Sequence, residues 1–225
     1  SDLTKGDWLV NEILSFNKME KEIIISASKE SPMEKNSYAV SWDNGKIRRI
    51  DNEQGYHNFI ANSTGQYLYD VYSSSTTPKN TVVRHTDGKW SKLLLSSPNT
   101  LEDYNRPEVK NITLKADDGT PLYGKLIMPT NFVMTKKYPV IVYLYNGPNV
   151  QLLHNSFPES GNLWYEYMAQ RGYIVFVMDG RGSSNRGLKF EQATYGKLGT
   201  VELQDQLKGV AYLKSLYYVD STRMG

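Results

Sequence analysis

Residues 173–187 read YIVFVMDGRGSSNRG, an apolar run that ends on an acid and continues into a glycine-rich loop. The run Tyr173–Met178 is continuously apolar, which is typical of a strand buried on both faces of a parallel sheet. A glycine-rich loop after such a strand can cradle a phosphate, carry a nucleophilic serine or only turn the chain. The role of this loop therefore separates a dinucleotide-binding protein, a hydrolase and a protein that is neither.

The loop matches neither of the two glycine motifs that carry chemistry. Its glycines are spaced G-x-G-x-x-x-x-G, whereas a dinucleotide fingerprint needs G-x-G-x-x-G, and Asp179 would place a negative charge beside a pyrophosphate. A nucleophile elbow needs G-x-S-x-G, and neither Ser183 nor Ser184 has a glycine two residues away on both sides. We interpret the loop as a tight turn in which Asp179 and Arg181 form ion pairs or cap backbone groups.

The segments around this strand alternate between apolar strands and helices, which predicts a parallel sheet covered on both faces. A third strand of this sheet is expected to start at 222–225. The helix at Val201–Leu216 is predicted to bury apolar residues that include Leu203 and Leu207. The other predicted elements are a hairpin of Val109–Lys115 and Pro121–Met128, a strand at Tyr138–Tyr145 and a helix at Leu163–Gln170 that Gly172 ends.

The first 95 residues show two successive passes of short strands separated by turn pairs, at an offset of about 43 to 45 residues. Asn44-Gly45 and Asp87-Gly88 occupy equivalent tight turns. Four strands in such a period are typical of a β-propeller blade, and since a propeller has at least about four blades, we expect others before Ser1 or from other chains. The predicted strands are Val10–Phe16, Glu22–Ala27, Tyr38–Trp42 and Ile47–Ile50, then Tyr56–Ala61, Tyr67–Ser73, Thr81–His85 and Ser91–Leu95.

Composition bounds the possible partners. A chain of 225 residues that is 39% hydrophobic can bury a sizeable core, and its net charge of +2 argues against nucleic acid or an anionic membrane as a partner. The absence of cysteine excludes disulfides and thiolate zinc sites. The apolar runs are far shorter than the roughly 20 residues that span a bilayer. Because no charged-then-apolar leader follows Ser1, we expect that any targeting segment was removed.

The spacing of residues in the sequence makes only a few of them candidates for a catalytic or metal-binding role. Of the three histidines, His57 and His85 lie in the blade repeat, where a hydrogen-bonded or exposed position is expected. His154 follows an apolar strand, where ligands bind in open α/β folds, but a structural role is the more frequent one. Tyr145 stands at the carboxyl end of its strand and could donate a hydrogen bond to an oxyanion, although a core or rim tyrosine is more common. No histidine pair has metal-ligand spacing.

Several motifs, in this order and at this spacing, resemble the prolyl oligopeptidase family of serine peptidases, and most closely its dipeptidyl peptidase IV branch. The resemblance covers about 115 residues, and some segments are especially similar to bacterial members that include prolyl tripeptidyl aminopeptidases. The general motifs are KYPVIVYLYNGP at 137–148, DGRGS at 179–183, LGT at 198–200, Asp205-Gln206, and YVD at 218–220 with Arg223. The bacterial ones are PLY at 121–123, Met128-Pro129 and FEQ at 190–192.

The resemblance implies a mixed fold, with the last blades of a β-propeller at 1–96, a connector at 97–108 and the N-terminal part of an α/β-hydrolase domain at 109–225. It implies a serine exopeptidase that releases di- or tripeptides after proline or alanine through an acyl-enzyme, without metal or organic cofactor. The substrate would be a peptide with a free N-terminus and a penultimate proline. Tyr145 matches the family tyrosine of the oxyanion hole, and its removal is expected to cost on the order of 3 kcal/mol of transition-state stabilisation.

Other parts of the family pattern do not occur in these 225 residues. The elbow Gly-Trp-Ser-Tyr-Gly-Gly, the triad aspartate and histidine, and the glutamate pair that holds the substrate amino group are all expected outside the chain. The chain by itself is therefore predicted to be inactive and prone to aggregate through exposed strand edges. The resemblance also implies a whole protein that can dimerise, in a periplasmic or secreted location.

Two other classes remain open from the sequence. A propeller and hydrolase scaffold that has lost its triad would bind partners without catalysis. A dinucleotide-binding protein would be stabilised by its cofactor, so its melting temperature would rise on cofactor addition.

Overall fold

The computed structural model describes residues 3–145 and 147–225. The chain divides into two compact units. The first contains the described residues up to Asn99, with 154–159 and 185–189. The second contains the described residues of 100–153, 160–184 and 190–225. Each unit has its own sheets and its own apolar core.

The first unit contains two four-stranded antiparallel sheets, and in each the strands follow one another in chain order. Gly45 and Gly88 take positive φ angles of 71° and 76° in the last hairpin turn of each sheet, a conformation that glycine adopts without steric cost. The two predicted passes are confirmed as two propeller-type blades. The strands are β1 Val10–Asn17, β2 Glu22–Ala27, β3 Asn36–Ser41, β4 Ile47–Arg49, β5 Tyr56–Ala61, β6 Tyr67–Ser73, β7 Asn80–His85 and β8 Ser91–Ser96.

The two blades share an apolar core. Ile24, Ala39 and Ile50 of the first blade are buried together with Leu68 of the second, and Phe59 packs against them. A parallel bridge between Lys35 and Tyr56 also joins the blades. Alternate residues of a strand point to opposite faces of its sheet, so one apolar row of β2, β3 and β6 can reach this shared core.

Two short segments from later in the chain belong to this first unit. The side chain of Asn155 accepts a hydrogen bond from the backbone amide of Ser75 at 2.9 Å and donates one to Glu34 at 2.8 Å. The side chain of Asn185 accepts one from Asn11 at 2.6 Å. Side-chain amides therefore fasten both segments to the blades.

The second unit is built on a five-stranded sheet of order β13-β11-β12-β10-β9. Strands β11, β12 and β13 are parallel, but β10 pairs antiparallel with both β12 and β9. The predicted hairpin and the predicted parallel strands are both present, and the sheet is mixed because a tight hairpin can only return antiparallel. The strands are β9 Val109–Lys115, β10 Pro121–Ile127, β11 Tyr138–Tyr143, β12 Ile174–Asp179 and β13 Val219–Met224.

Helices pack against this sheet. All six positions of β12 are buried, so both faces of that strand are covered, as predicted. Gly209 of α3 approaches the sheet so closely that a Cβ there would lie 2.6 Å from the ring of Phe176. The helices are α1 Leu163–Gln170, α2 Leu188–Glu191, a 3-10 helix Gln192–Thr194 and α3 Val201–Ser215.

The buried face of α3 differs from the predicted one. Leu203 and Leu207 are 51% and 54% exposed, whereas Asp205, Gln206 and Gly209 are buried. The polar residues are buried because each has a partner: Asp205 pairs with Arg181, and the Gln206 side-chain amide donates to the backbone oxygen of residue 178. Leu213 is fully buried as predicted, so hydrophobic periodicity alone was right at that position and wrong at Leu203 and Leu207.

Candidate active-site edge

The candidate site lies at the carboxyl ends of β11 and β12. Strand β11 ends at Tyr143, two residues earlier than predicted, and Tyr145 lies just beyond it with 63% of its surface exposed. The Tyr145 ring lies over Gly147, since a Cβ at residue 147 would be 2.2 Å from Cε1 of that ring. A glycine is therefore required at 147 for the tyrosine to keep this position.

The segment after Tyr145 is fastened to the loop that follows β12. The backbone amides of Leu152 and Leu153 donate to the two carboxylate oxygens of Asp179 at 2.9 and 3.0 Å. The amide of Asn149 donates to the backbone oxygen of Gly182 at 3.1 Å. Asp179 is only 8% exposed. These three contacts join the ends of two parallel strands.

The loop after β12 is itself held by α3. Arg181 donates from Nη2 to Oδ1 of Asp205 at 2.7 Å and from its backbone amide to Oδ2 at 2.7 Å. It also pairs with Asp118 at 2.9 Å. Hydrogen bonding to Asp205 raises the pKa of Arg181, so the guanidinium stays charged. The turn interpretation of this loop is confirmed: Asp179 caps backbone amides and Arg181 forms ion pairs.

Aromatic side chains support the end of β11. The rings of Tyr143 and Tyr165 meet edge to face with centroids 5.0 Å apart, and Trp164 contacts both rings. Burial, the neighbouring Tyr143 and a hydrogen bond to it raise the pKa of Tyr165, so that phenol stays neutral. Helix α1 thus supports the strand that carries Tyr145.

A small cleft opens between the segment after Tyr145 and the loop after β12. Ser183 lines it, but this side chain is only 7% exposed, and its hydroxyl oxygen has no hydrogen-bond partner among residues 3–145 and 147–225. A serine without an adjacent base is not activated as a nucleophile, in agreement with the missing elbow pattern. The cleft is lined by Tyr145, Gly147, Val150, Leu152, Met178, Asp179, Gly180, Arg181 and Ser183.

The three histidines lie in the first unit. His57 is fully buried, with Nδ1 3.0 Å from the carboxylate of Asp70, and His85 lies 3.0 Å from Asp87. The ring of His154 packs on Tyr56 with centroids 4.5 Å apart. Within 3–145 and 147–225, none of these histidines lines the cleft at Tyr145. The hydrogen-bonded positions expected for His57 and His85 are confirmed.

Two further observations concern the described residues only. Among them, no cluster of three or more histidine, aspartate or glutamate side chains is arranged to hold a metal ion. Over the same residues, none of the helices has the length and apolar character needed to cross a bilayer.

Sequence reasoning missed two residues that build this edge. The sequence identifies Asp205 only as part of the Asp205-Gln206 motif and does not predict its buried pairing with Arg181. Tyr165 was placed on a helix without a partner, and it contacts Tyr143. An acid next to a glutamine inside an otherwise amphipathic helix was the available signal for Asp205, since buried acids are almost always paired.

Comparison with known proteins defines the class. Residues 161–225 match the model of the prolyl oligopeptidase family, and residues 1–79 match the dipeptidyl peptidase IV N-terminal region. Together with the two blades and the mixed sheet, these matches establish propeller blades followed by the start of an α/β-hydrolase domain. The chain belongs to the prolyl oligopeptidase family, and within it to the dipeptidyl peptidase IV branch. The predicted resemblance and fold class are confirmed.

The similar proteins are much longer than this chain. Human dipeptidyl peptidase 8 is 31% identical over 99% of the chain, which spans 26% of that protein. The structure of a candidate dipeptidyl aminopeptidase IV from Bacteroides ovatus is 43% identical with a TM-score of 0.89, over 99% of this chain and 32% of that one. Porphyromonas gingivalis dipeptidyl peptidase 4 is 26% identical with a TM-score of 0.88 at the same coverage.

Proposed function

We propose that the whole protein is a serine exopeptidase that releases N-terminal dipeptides, or tripeptides, after proline or alanine. Its substrate is a peptide with a free N-terminus and a penultimate proline, and its chemistry passes through an acyl-enzyme without metal or organic cofactor. Tyr145 serves as an oxyanion-hole donor. The serine, aspartate and histidine of the triad lie outside these 225 residues, and the domain limits are 1–96, 97–108 and 109–225.

The position of Tyr145 carries the proposal. Its phenol stands at the carboxyl end of a parallel strand, where ligands bind in open α/β sheets, and it is well exposed while its backbone neighbours are fastened. An oxyanion donor must point to solvent-accessible space but must not move when charge develops. The dipeptidyl peptidase names of the similar proteins support the substrate class.

Substitution of Tyr145 by phenylalanine tests the role. The Tyr145→Phe form of the full-length protein is expected to lose about 10²- to 10³-fold in kcat on a Gly-Pro chromogenic substrate, because one hydrogen bond to the oxyanion is lost. The control is Tyr195→Phe, which removes a hydroxyl from a tyrosine that is 88% exposed and lies outside the cleft. Equal kcat values for the wild type and Tyr145→Phe would overturn the assignment.

The chain of residues 1–225 alone is expected to be inactive, because a tyrosine donor cannot cleave a peptide bond without a nucleophile and a base. The measurement is hydrolysis of the same Gly-Pro substrate by the purified chain. Hydrolysis that Tyr145→Phe abolishes would contradict this expectation.

A further inference from the structure

We propose that Asp179 is a positioning residue that acts through Tyr145. Its carboxylate fixes the segment that carries the tyrosine, and so keeps the phenol where the oxyanion forms. The proposal rests on the role proposed for Tyr145 above. It assigns to the last residue of β12 a task that the turn of the following loop does not require.

The carboxylate is well placed for this task. Each of its oxygens accepts one hydrogen bond, from the amides of the consecutive residues Leu152 and Leu153. Two bonds from adjacent amides fix both the position and the rotation of that backbone, and bonds to an ionised acceptor are stronger than neutral ones. Burial of Asp179 protects both bonds from competing water.

The residue that provides this carboxylate is itself rigid. Asp179 is the last residue of β12, where it pairs with Tyr123 of β10. On the other side β12 pairs with β11, with Val177 opposite Tyr143. The carboxylate and the strand before Tyr145 are therefore parts of one hydrogen-bonded sheet.

The connection from Asp179 to the phenol runs through the segment between the two anchors. Strand β11 holds this segment at Tyr143, and Asp179 holds it at Leu152, nine residues later. Between them, the amide of Val150 donates to the oxygen of Gly147, over which the Tyr145 ring lies. Release of Leu152 and Leu153 would leave the bond from the Asn149 amide to the Gly182 oxygen as the remaining contact with the loop after β12, and the weaker hold would let Gly147 shift, and the ring with it.

A small shift is enough to affect the rate. An oxyanion donor must lie about 2.7 to 3.1 Å from the charged oxygen, and a misplacement of about 1 Å can cost roughly 10²-fold. Asparagine at position 179 has nearly the shape of aspartate, but one of its terminal atoms is an NH₂ donor. That donor would oppose one backbone N–H, so one of the two anchoring bonds would be lost.

A double-mutant cycle in the full-length protein tests the proposal. Asp179→Asn is expected to lower kcat on the Gly-Pro substrate about tenfold, with KM within about twofold, as for loss of a transition-state contact. In the Tyr145→Phe background the same substitution is expected to change kcat less than about twofold, because the group it positions is gone. A thermal melt of each form verifies folding, and the control is Asp117→Asn, which alters an exposed carboxylate of the same unit.

A second variant covers the case in which Asp179→Asn does not fold. Asp179→Glu keeps the charge but moves both oxygens by one methylene, and it is expected to show the same loss of kcat and the same lack of additivity. If the losses from residues 179 and 145 multiply in the double variants, or if both folded Asp179 variants keep full kcat, the positioning role is overturned while the proposed function stands. If Tyr145→Phe alone keeps full kcat, the proposed function and the positioning role are both overturned.

Discussion

Among the described residues, two of the buried networks of acids and bases, one in each unit, have different partners. In the second blade, Asp70 is fully buried between His57 and Arg84, and all three side chains lie on neighbouring strands of one sheet. At the edge of the mixed sheet, the acceptors Asp179 and Asp205 bind backbone amides of loops as well as an arginine. The blade network holds strands together, whereas the edge network holds loops in place.

This difference suggests a division of roles. Removal of the Asp70 charge from the blade leaves the buried Arg84 with Glu53 as its remaining acidic partner and should lower stability. Removal of a contact at the edge releases a loop that carries the candidate oxyanion donor and should lower the rate. Variants that change only the stability or only the rate test this division.

The largest expected effect on stability comes from Asp70→Asn. The variant removes the charge that faces both Arg84, at 2.8 Å, and His57, at 3.0 Å, in a fully buried site. Because Glu53 still pairs with Arg84, the free energy of unfolding is expected to fall by about 3 kcal/mol, the lower end for a broken buried pair, with kcat per folded molecule unchanged. Urea unfolding of the full-length protein followed by a kinetic assay measures both quantities.

The matched control for the blade is Asp43→Asn. Asp43 pairs with Lys21 at 3.4 Å, but both side chains are largely exposed, so the change is expected to stay within about 0.5 kcal/mol. A similar loss of stability in both variants would show that the buried network contributes no more to the free energy of unfolding than an exposed ion pair does.

The converse effect is expected from Gly147→Ala at the edge. The added methyl group would overlap the ring of Tyr145, and the ring would have to move. We expect kcat to fall about tenfold or more, while the melting temperature changes little because the loop is at the surface. Gly161→Ala is the control, since the space around that glycine is open. An alanine at its φ of 85° is strained, so this control tests backbone strain without a steric overlap. Unchanged kcat in the folded Gly147→Ala form would contradict the placement of the ring.

The sequence predicted the blades better than the site. In the blades, alternation and the Asn-Gly and Asp-Gly turns act locally, so β2, β5 and β6 were predicted with the bounds they have. The last strand was predicted to start at Thr222 but starts at Val219, because its pairing with β11 depends on residues far away in the chain. Local patterns carry no information about such pairing.

At the site, local chemistry was predictable and its geometry was not. The missing motifs predicted that the glycine-rich loop is a turn, and the structure bears this out through Asp179 and Arg181. The pairing of Arg181 with Asp205 joins residues 24 positions apart. No local pattern selects that partner, and the apolar pattern of α3 gave no indication that Asp205 is buried. The role of Tyr145 itself came from the family resemblance and not from its spacing.

The smallest expected effect concerns a carboxylate in neither network. Hydrogen bonds from Thr222, which has the larger effect, and from Arg223 lower the pKa of Asp220 from 3.8 to about 2. The stability that this group contributes is therefore fully present above its unfolded pKa of about 3.9 and is lost as the pH falls towards 2. Carbon NMR titration of the Asp220 carboxyl measures the midpoint, and a midpoint near 3.9 would contradict the hydrogen bonding seen here.

The most direct test of the central claim is the affinity of the full-length protein for a peptide boronic acid that ends in a proline analogue. Such a compound mimics the tetrahedral intermediate, so the Tyr145 phenol should contact it but contribute little to substrate binding. Tyr145→Phe is expected to weaken inhibition by about 10²-fold while KM for the Gly-Pro substrate changes less than about twofold. Equal inhibition of the wild type and Tyr145→Phe would contradict the assignment of Tyr145 as the oxyanion donor.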